Sequence, residues 1–413
     1  MLGISRWTEQ GGSYRTIQRF FATEALPWAQ LSWLFFRQHL FCADETYVLA
    51  GDETVVTKAG KQTHGLDRFF AGVYQKVVPG LSFFTFSVIS TKQRCAYPLR
   101  VEQVVRTAAE KAASQAKKVA KTSKPSGTKR KAGRPKGSRN QNKLAVELSP
   151  ELQRIQQMLH KQLQQIAGLI PLQYVTLDGH FGNHPACQMV RQCGLHLISK
   201  LRADAALYFR SAGVYAGRGR PRHYGAKVDY RHIPAQYLKQ VRVEKGIETH
   251  IYQAEMLHKE FCQPLNVVIL LKRNLKTGTW AHVVLFCSDL ELAYDQLIDY
   301  YSLRFQIEFN FRDAKQFWGL EDFMNTNQTA VTNAANLSLF LVLVSKLLLL
   351  NFRTTHPDFG ILDLKAYFRG HRYLSETIKW LPHLPDDVSL ATIFHKLLTL
   401  GSIRISHSSS FAP

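Results

Sequence analysis

The residues with the most chemistry in this chain lie in one short stretch, Tyr301-Ser302-Leu303-Arg304-Phe305-Gln306-Ile307-Glu308, with Lys315 following. Counted from Tyr301, the residues Arg304, Glu308 and Lys315 stand at offsets 3, 7 and 14. At about 100° per residue these positions fall within an arc of roughly 60° on one helix. The residues around them (Leu303, Phe305, Ile307, Phe309, Phe311) are too apolar for a helix bathed in solvent. The spacing therefore predicts a largely buried helix that presents a carboxylate flanked by two cations and a phenol. A buried carboxylate needs a partner or a metal ion. Cations beside it make sense where a phosphate also binds.

Two further acids stand out by position. Asp52 follows the apolar run Val48-Leu49-Ala50-Gly51 in a strand expected over Tyr47–Thr57, where an acid is costly unless compensated. Asp178 ends a strand predicted over Leu172–Leu177, the position at which α/β sheets bind ligands. Three carboxylates from three distant segments can bind two hard divalent cations through oxygen. Two such ions about 4 Å apart activate a nucleophile and stabilise the leaving oxygen in phosphoryl transfer. Singly, each acid is more often a cap or a salt-bridge partner; together, on this strand order, they read as a metal site. His180 and His184, four apart, invite zinc. Residues 179–185 read as a loop with no third ligand, so His180 is expected to shape the metal site instead.

Charge points to the substrate class. The chain has 53 Lys and Arg against 31 Asp and Glu, a net charge of +22. An excess of that size predicts a polyanionic partner, nucleic acid before anionic membrane. The six cysteines, at 42, 95, 187, 193, 262 and 287, form no CxxC pair, which argues against a zinc ribbon. No secretory signal opens the sequence, so a reducing, cytoplasmic setting is expected. The apolar run over 337–350 is short for a membrane span and holds Ser345 and Lys346, which predicts a buried core helix.

These residues need elements to position them. Residues 1–44 read as helical, broken at Gly11-Gly12, with Ser13 as a cap and Arg15 and Arg19 turned outward. A partial helix-turn-helix and an ordinary helical hairpin both account for this. Residues 45–110 carry the Asp52 strand and two more, over 66–78 and 81–90, separated at Pro79-Gly80, then a helix over 101–113. Residues 111–143 hold twelve Lys and Arg and no acid, and read as a disordered basic linker. Its Gly133-Arg134-Pro135-Lys136, and the related Arg218-Gly219-Arg220-Pro221, resemble cores that lie in the minor groove; a solvated basic loop accounts for each about equally. Residues 144–202 alternate helix and strand, 203–287 read as a β-rich inserted domain, 288–352 carry the Glu308 helix, and 353–413 are helical. The fold class expected is α/β, a mixed sheet flanked by helices.

Asp52, Asp178 and Glu308, with Tyr301-x2-Arg304-x3-Glu308-x6-Lys315, resemble the DDE transposases of bacterial insertion sequences that carry the YREK signature. The resemblance covers roughly residues 45–350. It implies an RNase H-like core, with a β-rich insertion between the second Asp and the Glu. It implies cut-and-paste chemistry with two Mg2+ ions, Mn2+ being able to substitute, held by Asp52, Asp178 and Glu308. The partners implied are double-stranded DNA, as terminal inverted repeats and target, and a second copy of the chain on paired ends. Tyr301, Arg304 and Lys315 would hold phosphates of the transposon end. Relatives that form hairpins trap a flipped base with an aromatic residue, for which Trp280 is the candidate; counting from Ser288-Asp289 puts the equivalent position near Val283 instead. Two alternatives stand beside this reading: a structure-specific nuclease or resolvase on the same core, and a non-catalytic DNA-binding protein derived from a transposase.

Overall fold

The computed structural model describes residues 12–24, 26–72, 75–112, 115–116, 146–211, 217, 222–383 and 386–398. Most of the basic stretch at 111–143 lies outside them, with Arg134 and Lys136; so do Arg218 and Arg220. Among the described residues two helices come first, α1 (Tyr14–Ala22) and α2 (Trp28–His39). Ser13 caps α1, its hydroxyl accepting from the Thr16 amide. The strands β1 (Tyr47–Thr57), β2 (Asp67–Ala71), β3 (Lys76–Ser90) and β4 (Cys95–Val104) follow as an antiparallel set. β1 pairs with β3 along its whole length, from Tyr47 opposite Ser90 to Thr57 opposite Gly80. Next come α3 (Pro150–Ile166), β5 (Tyr174–Thr176), α4 (His184–Gln192) and β6 (His196–Leu201). β5 lies parallel to β1, and β6 parallel to β5. The local strand order is thus β4-β3-β1-β5-β6, three antiparallel strands and then two parallel ones.

Two expectations about this region are corrected. Pro79-Gly80 is not a turn between strands but lies inside β3. It marks the point where the outer partner of β3 changes from β2 to β4. Pro79 sits one residue past the last β1 pairing, so no rung to β1 requires its missing N–H. Gly80 is required there, because a Cβ would stand 2.4 Å from the Val56 carbonyl oxygen. The helix expected over 101–113 is likewise strand as far as Val104, with helix only after Thr107. Val101 to Val104 pair with β3, and that long-range partner overrides the local pattern.

The block at 203–287 is β-rich, as β7 (Leu207–Arg210), β8 (Tyr224–Lys227), β9 (Leu238–Glu244), β10 (Ile247–His258), β11 (Leu265–Asn274) and β12 (Trp280–Cys287). It does not fold apart from the core. β12 pairs antiparallel with β6, and β11 and β10 continue outward, so the described strands form one sheet. The physical reason is a core with two apolar faces. Val267, Val268 and Ile269 on β11 and Val284, Leu285 and Phe286 on β12 are all buried, as in strands covered on both sides.

The remaining helices are α5 (Tyr294–Leu303), α6 (Gln306–Phe317), α7 (Gln328–Arg353), α8 (Ile361–Ile378) and α9 (Asp387–Leu398). One face of the sheet packs against α2, α3 and α4 through Trp33, Phe36, Phe86, Met158 and Met189. The other face packs against α5 and α6. By length and composition α7 could cross a membrane. Here it is a packed helix against α1, α2, α6 and β4. Its Asn333 side chain accepts from the Trp28 indole at 2.8 Å and donates to the carbonyls of Phe21 and Thr23, both at 2.9 Å. That suture, with Phe36 packed on Tyr47 and Tyr97, fixes these two helices on α7 and on the sheet.

Candidate active site

Alternation along β1 determines where Asp52 points. Val48, Ala50, Asp52, Thr54 and Val56 face α5 and α6, while Leu49, Gly51 and Glu53 face the opposite layer. Val48 and Ala50 pack with Leu297, Tyr300 and Leu303 of α5. Val56 packs with Ile307, Phe311 and Ala314 of α6. Asp52 falls between these two apolar clusters, under the junction of the two helices. Gly51 makes the backbone approach possible: a Cβ there would meet Leu177, Phe84 and Phe86 at 2.8–2.9 Å.

The single helix expected over 301–315 is two helices meeting at Arg304-Phe305. Both residues keep right-handed helical angles, but the hydrogen bonds tighten. The amides of Arg304, Phe305, Ile307 and Glu308 each donate to the carbonyl three residues earlier. A turn of three residues brings side chains at i and i+3 into line. Tyr301 and Arg304 are such a pair, and the guanidinium stands 6.0 Å from the phenol ring centre.

Arg304 then joins two of the three acids. Its Nη1 lies 2.5 Å from Asp52 Oδ2, and its Nη2 lies 3.2 Å from Glu308 Oε1. The Arg304 and Asp52 side chains are only 15% and 19% exposed, whereas that of Glu308 is 44% exposed. Asp178 enters the same field without a direct bond to the others: its charge, like that of Glu308, makes Asp52 easier to protonate. Asp178 caps a 3₁₀ turn at Gly179–Phe181, its carboxylate accepting from the His180 amide at 3.1 Å. Ser199 on β6 donates to its carbonyl at 2.7 Å. The His180 ring turns away, to the Glu151 carboxylate 3.4 Å off. Glu151 thus tethers the Asp178 loop. Sequence reading missed it because the pair spans 29 residues; the Ser149-Pro150-Glu151 helix start was the only local signal.

Lys315 and Trp280 stand elsewhere. Lys315 Nζ donates to the Val55 carbonyl at 2.7 Å and pairs with Glu321 at 3.4 Å, tying α6 to β1 about 10 Å along the helix from Glu308. Trp280 begins β12, half exposed, with Arg273 stacked 5.5 Å from its ring centre. It lies about 23 Å along the strand from Cys287, which pairs with β6. Arg15 and Arg19 are exposed on α1.

Burial pushes the Asp52 carboxyl from 3.8 up to about 6, outweighing the opposing pull of Arg304. Between these two values the folded chain holds a proton that the unfolded chain has released. Asp52 therefore stabilises the metal-free fold most below about pH 4, and that contribution is lost as the pH rises through about 6. Asp52→Asn should remove this part of the pH profile of thermal stability; an unaltered slope would contradict the shift.

The donor set suits a hard divalent cation: three carboxylates and no sulfur or imidazole between them. Among the described residues no three His, Cys, Asp or Glu side chains stand close enough to hold an ion together as arranged. The guanidinium fills the space between two of them instead. Its Nε is buried without a hydrogen-bond partner, and Asp52 remains easy to protonate despite the ion pair.

No curated protein matches the chain. A family model, that of the DDE superfamily endonucleases, matches residues 1–256. The matched span takes in Asp52 on β1 and Asp178 after β5 and ends before Glu308, which is linked to Asp52 through the Arg304 bridge. Since the match covers more than half of the 413 residues, the chain belongs to the DDE superfamily endonuclease family.

Proposed function

We propose that this endonuclease is a cut-and-paste DNA transposase of the YREK type, which cleaves the ends of an insertion sequence and joins them to target DNA. The observation that carries the reading is the Arg304 bridge between Asp52 of β1 and Glu308 of α6, with Tyr301 and Asp178 in the same field. The order β4-β3-β1-β5-β6 supports an RNase H-like core.

In this reading Asp52, Asp178 and Glu308 hold Mg2+ ions, which supply activation of the attacking oxygen and stabilisation of the leaving one. The chain's own groups do the rest. The helix junction sets Glu308 over β1. The Glu151–His180 pair and Ser199 fix the turn that aims Asp178. Burial raises the Tyr301 phenol above its usual value, so it keeps its proton and serves as a hydrogen-bond donor to a phosphate. Arg304 supplies a bidentate fork suited to a phosphate oxyanion. The work is done in the cytoplasm, at the nucleoid, by a homodimer assembled on paired ends; repulsion between +22 chains keeps them apart until DNA neutralises them.

The test is an assay of both steps on duplexes made from the inverted repeats flanking the gene. The transposase reading expects cleavage followed by joining of a 3′-OH to target DNA. Cleavage without joining would identify a nuclease, and neither step would identify a DNA-binding derivative. The basic stretch adds affinity of a different kind. Deleting residues 113–143 should leave the melting temperature unchanged and flatten the salt dependence of DNA binding, by about 0.9 for each phosphate no longer neutralised. An unchanged salt slope would contradict its role as a DNA-binding arm.

A further inference from the structure

We propose that Arg304 is a resident counter-ion of this site, whose guanidinium keeps the place of a divalent cation and has to withdraw before one binds. The inference rests on the metal-dependent reading above and adds a regulatory role for one residue.

Three observations carry it. The guanidinium lies between the acids, with one nitrogen on Asp52 and another on Glu308, and it is their only cationic partner among the described residues. The two carboxylates belong to segments more than 250 residues apart, so an ordinary i,i+4 helix pair does not explain the bridge. The arrangement is also incomplete as a structural ion pair. Each carboxylate offers one oxygen to the fork, Nε has no partner, and no three acids close on a common point while the fork is present. A structural bridge this buried gains stability only when its donors are satisfied.

The consequence is competition. A divalent ion ligated by Asp52 and Glu308 would stand within a few ångströms of the guanidinium, and two cations at that separation repel strongly in a partly buried pocket. The ion binds only as the fork gives up its carboxylates. Tyr301 stands in line with Arg304 at the helix junction, its ring centre 6.0 Å from the guanidinium. Arg304 freed in this way becomes available to a phosphate on DNA.

Mn2+ titration calorimetry on the full chain without DNA tests this, with Arg304→Gln, Arg304→Lys and Asp52→Asn beside the natural protein. Competition predicts that Arg304→Gln tightens Mn2+ binding about ten-fold or more. Arg304→Lys, which keeps the charge but loses the fork, should fall between the two, and it serves where the Gln variant fails to fold. Weaker or unchanged Mn2+ binding in both Arg304 variants, with binding still lost in Asp52→Asn, would overturn the counter-ion role and leave the metal site standing. Mn2+ binding unaffected by Asp52→Asn would overturn the metal-site reading and this inference with it. Melting curves of each variant without metal identify any change caused by misfolding.

Discussion

Glu308→Gln should abolish DNA strand cleavage, lowering its rate by about a thousand-fold or more while the chain still binds DNA. The magnitude follows from removing a charge that acts in the transition state. DNA affinity should survive because it rests on Lys and Arg spread over the surface of a +22 chain. Glu308 is the cleanest of the three acids to test, its side chain being 44% exposed and, among the described residues, bonded only at the end of the Arg304 fork. Asp178→Asn and Asp52→Asn should act in the same way. The Asp52 variant also leaves Arg304 with one partner in a buried position, so its folding is checked first by its melting curve. Cleavage and binding are read separately, by product formation on a labelled duplex and by its mobility shift. Full cleavage by Glu308→Gln would remove that residue from the chemistry.

The largest expected effect on stability lies far from the site. Phe36→Ala should destabilise the protein by about 3–5 kcal/mol, the cost of removing a buried aromatic ring and leaving a cavity. Phe36 is fully buried, with the rings of Trp33, Phe41, Tyr47 and Tyr97 at 5.2–6.3 Å. Tyr47 begins the strand that carries Asp52, so α2 braces the site through its base. Denaturant unfolding measures the loss. A change below about 1 kcal/mol would mean that the first two helices are a detachable unit rather than part of the core.

Local signals made part of this molecule legible in its sequence. β1 was predictable over its full span because a run of β-branched and apolar residues surrounds Asp52, and an acid in that setting demands an explanation. The alternation of helix and strand over 144–202 was predictable because its apolar runs are short and local, although the strand expected over Leu172–Leu177 forms only at Tyr174–Thr176. Features that depend on a distant partner were not. Pro79-Gly80 has the composition of a turn and lies within a strand, because β2 pairs with both residues and β1 with Gly80. The outer strands β10 to β12 were recognisable one by one, yet nothing local records that β12 completes the sheet beside β6. At the site, the offsets from Tyr301 put Tyr301, Arg304 and Glu308 on one face, and in the structure Arg304 stands beside Tyr301 and bonds Glu308. Lys315 lies two turns beyond Glu308 on α6, where its ammonium bonds the Val55 carbonyl and pairs with Glu321, partners that no local signal records. The ion pair from Arg304 to Asp52 crosses 252 positions and becomes visible only when β1 and the helix junction are brought together.

On the proposed reading, Asp52, Asp178 and Glu308 form one site for divalent ions in a DNA-cleaving enzyme. Anomalous diffraction from crystals of the full chain soaked in Mn2+ tests it most directly. Anomalous density is expected at ligation distance, roughly 2.0–2.6 Å, from carboxylate oxygens of all three residues, with the Arg304 guanidinium moved off Asp52. Density bound elsewhere on the chain, with the three carboxylates unliganded and Arg304 still bridging Asp52 and Glu308, would contradict it.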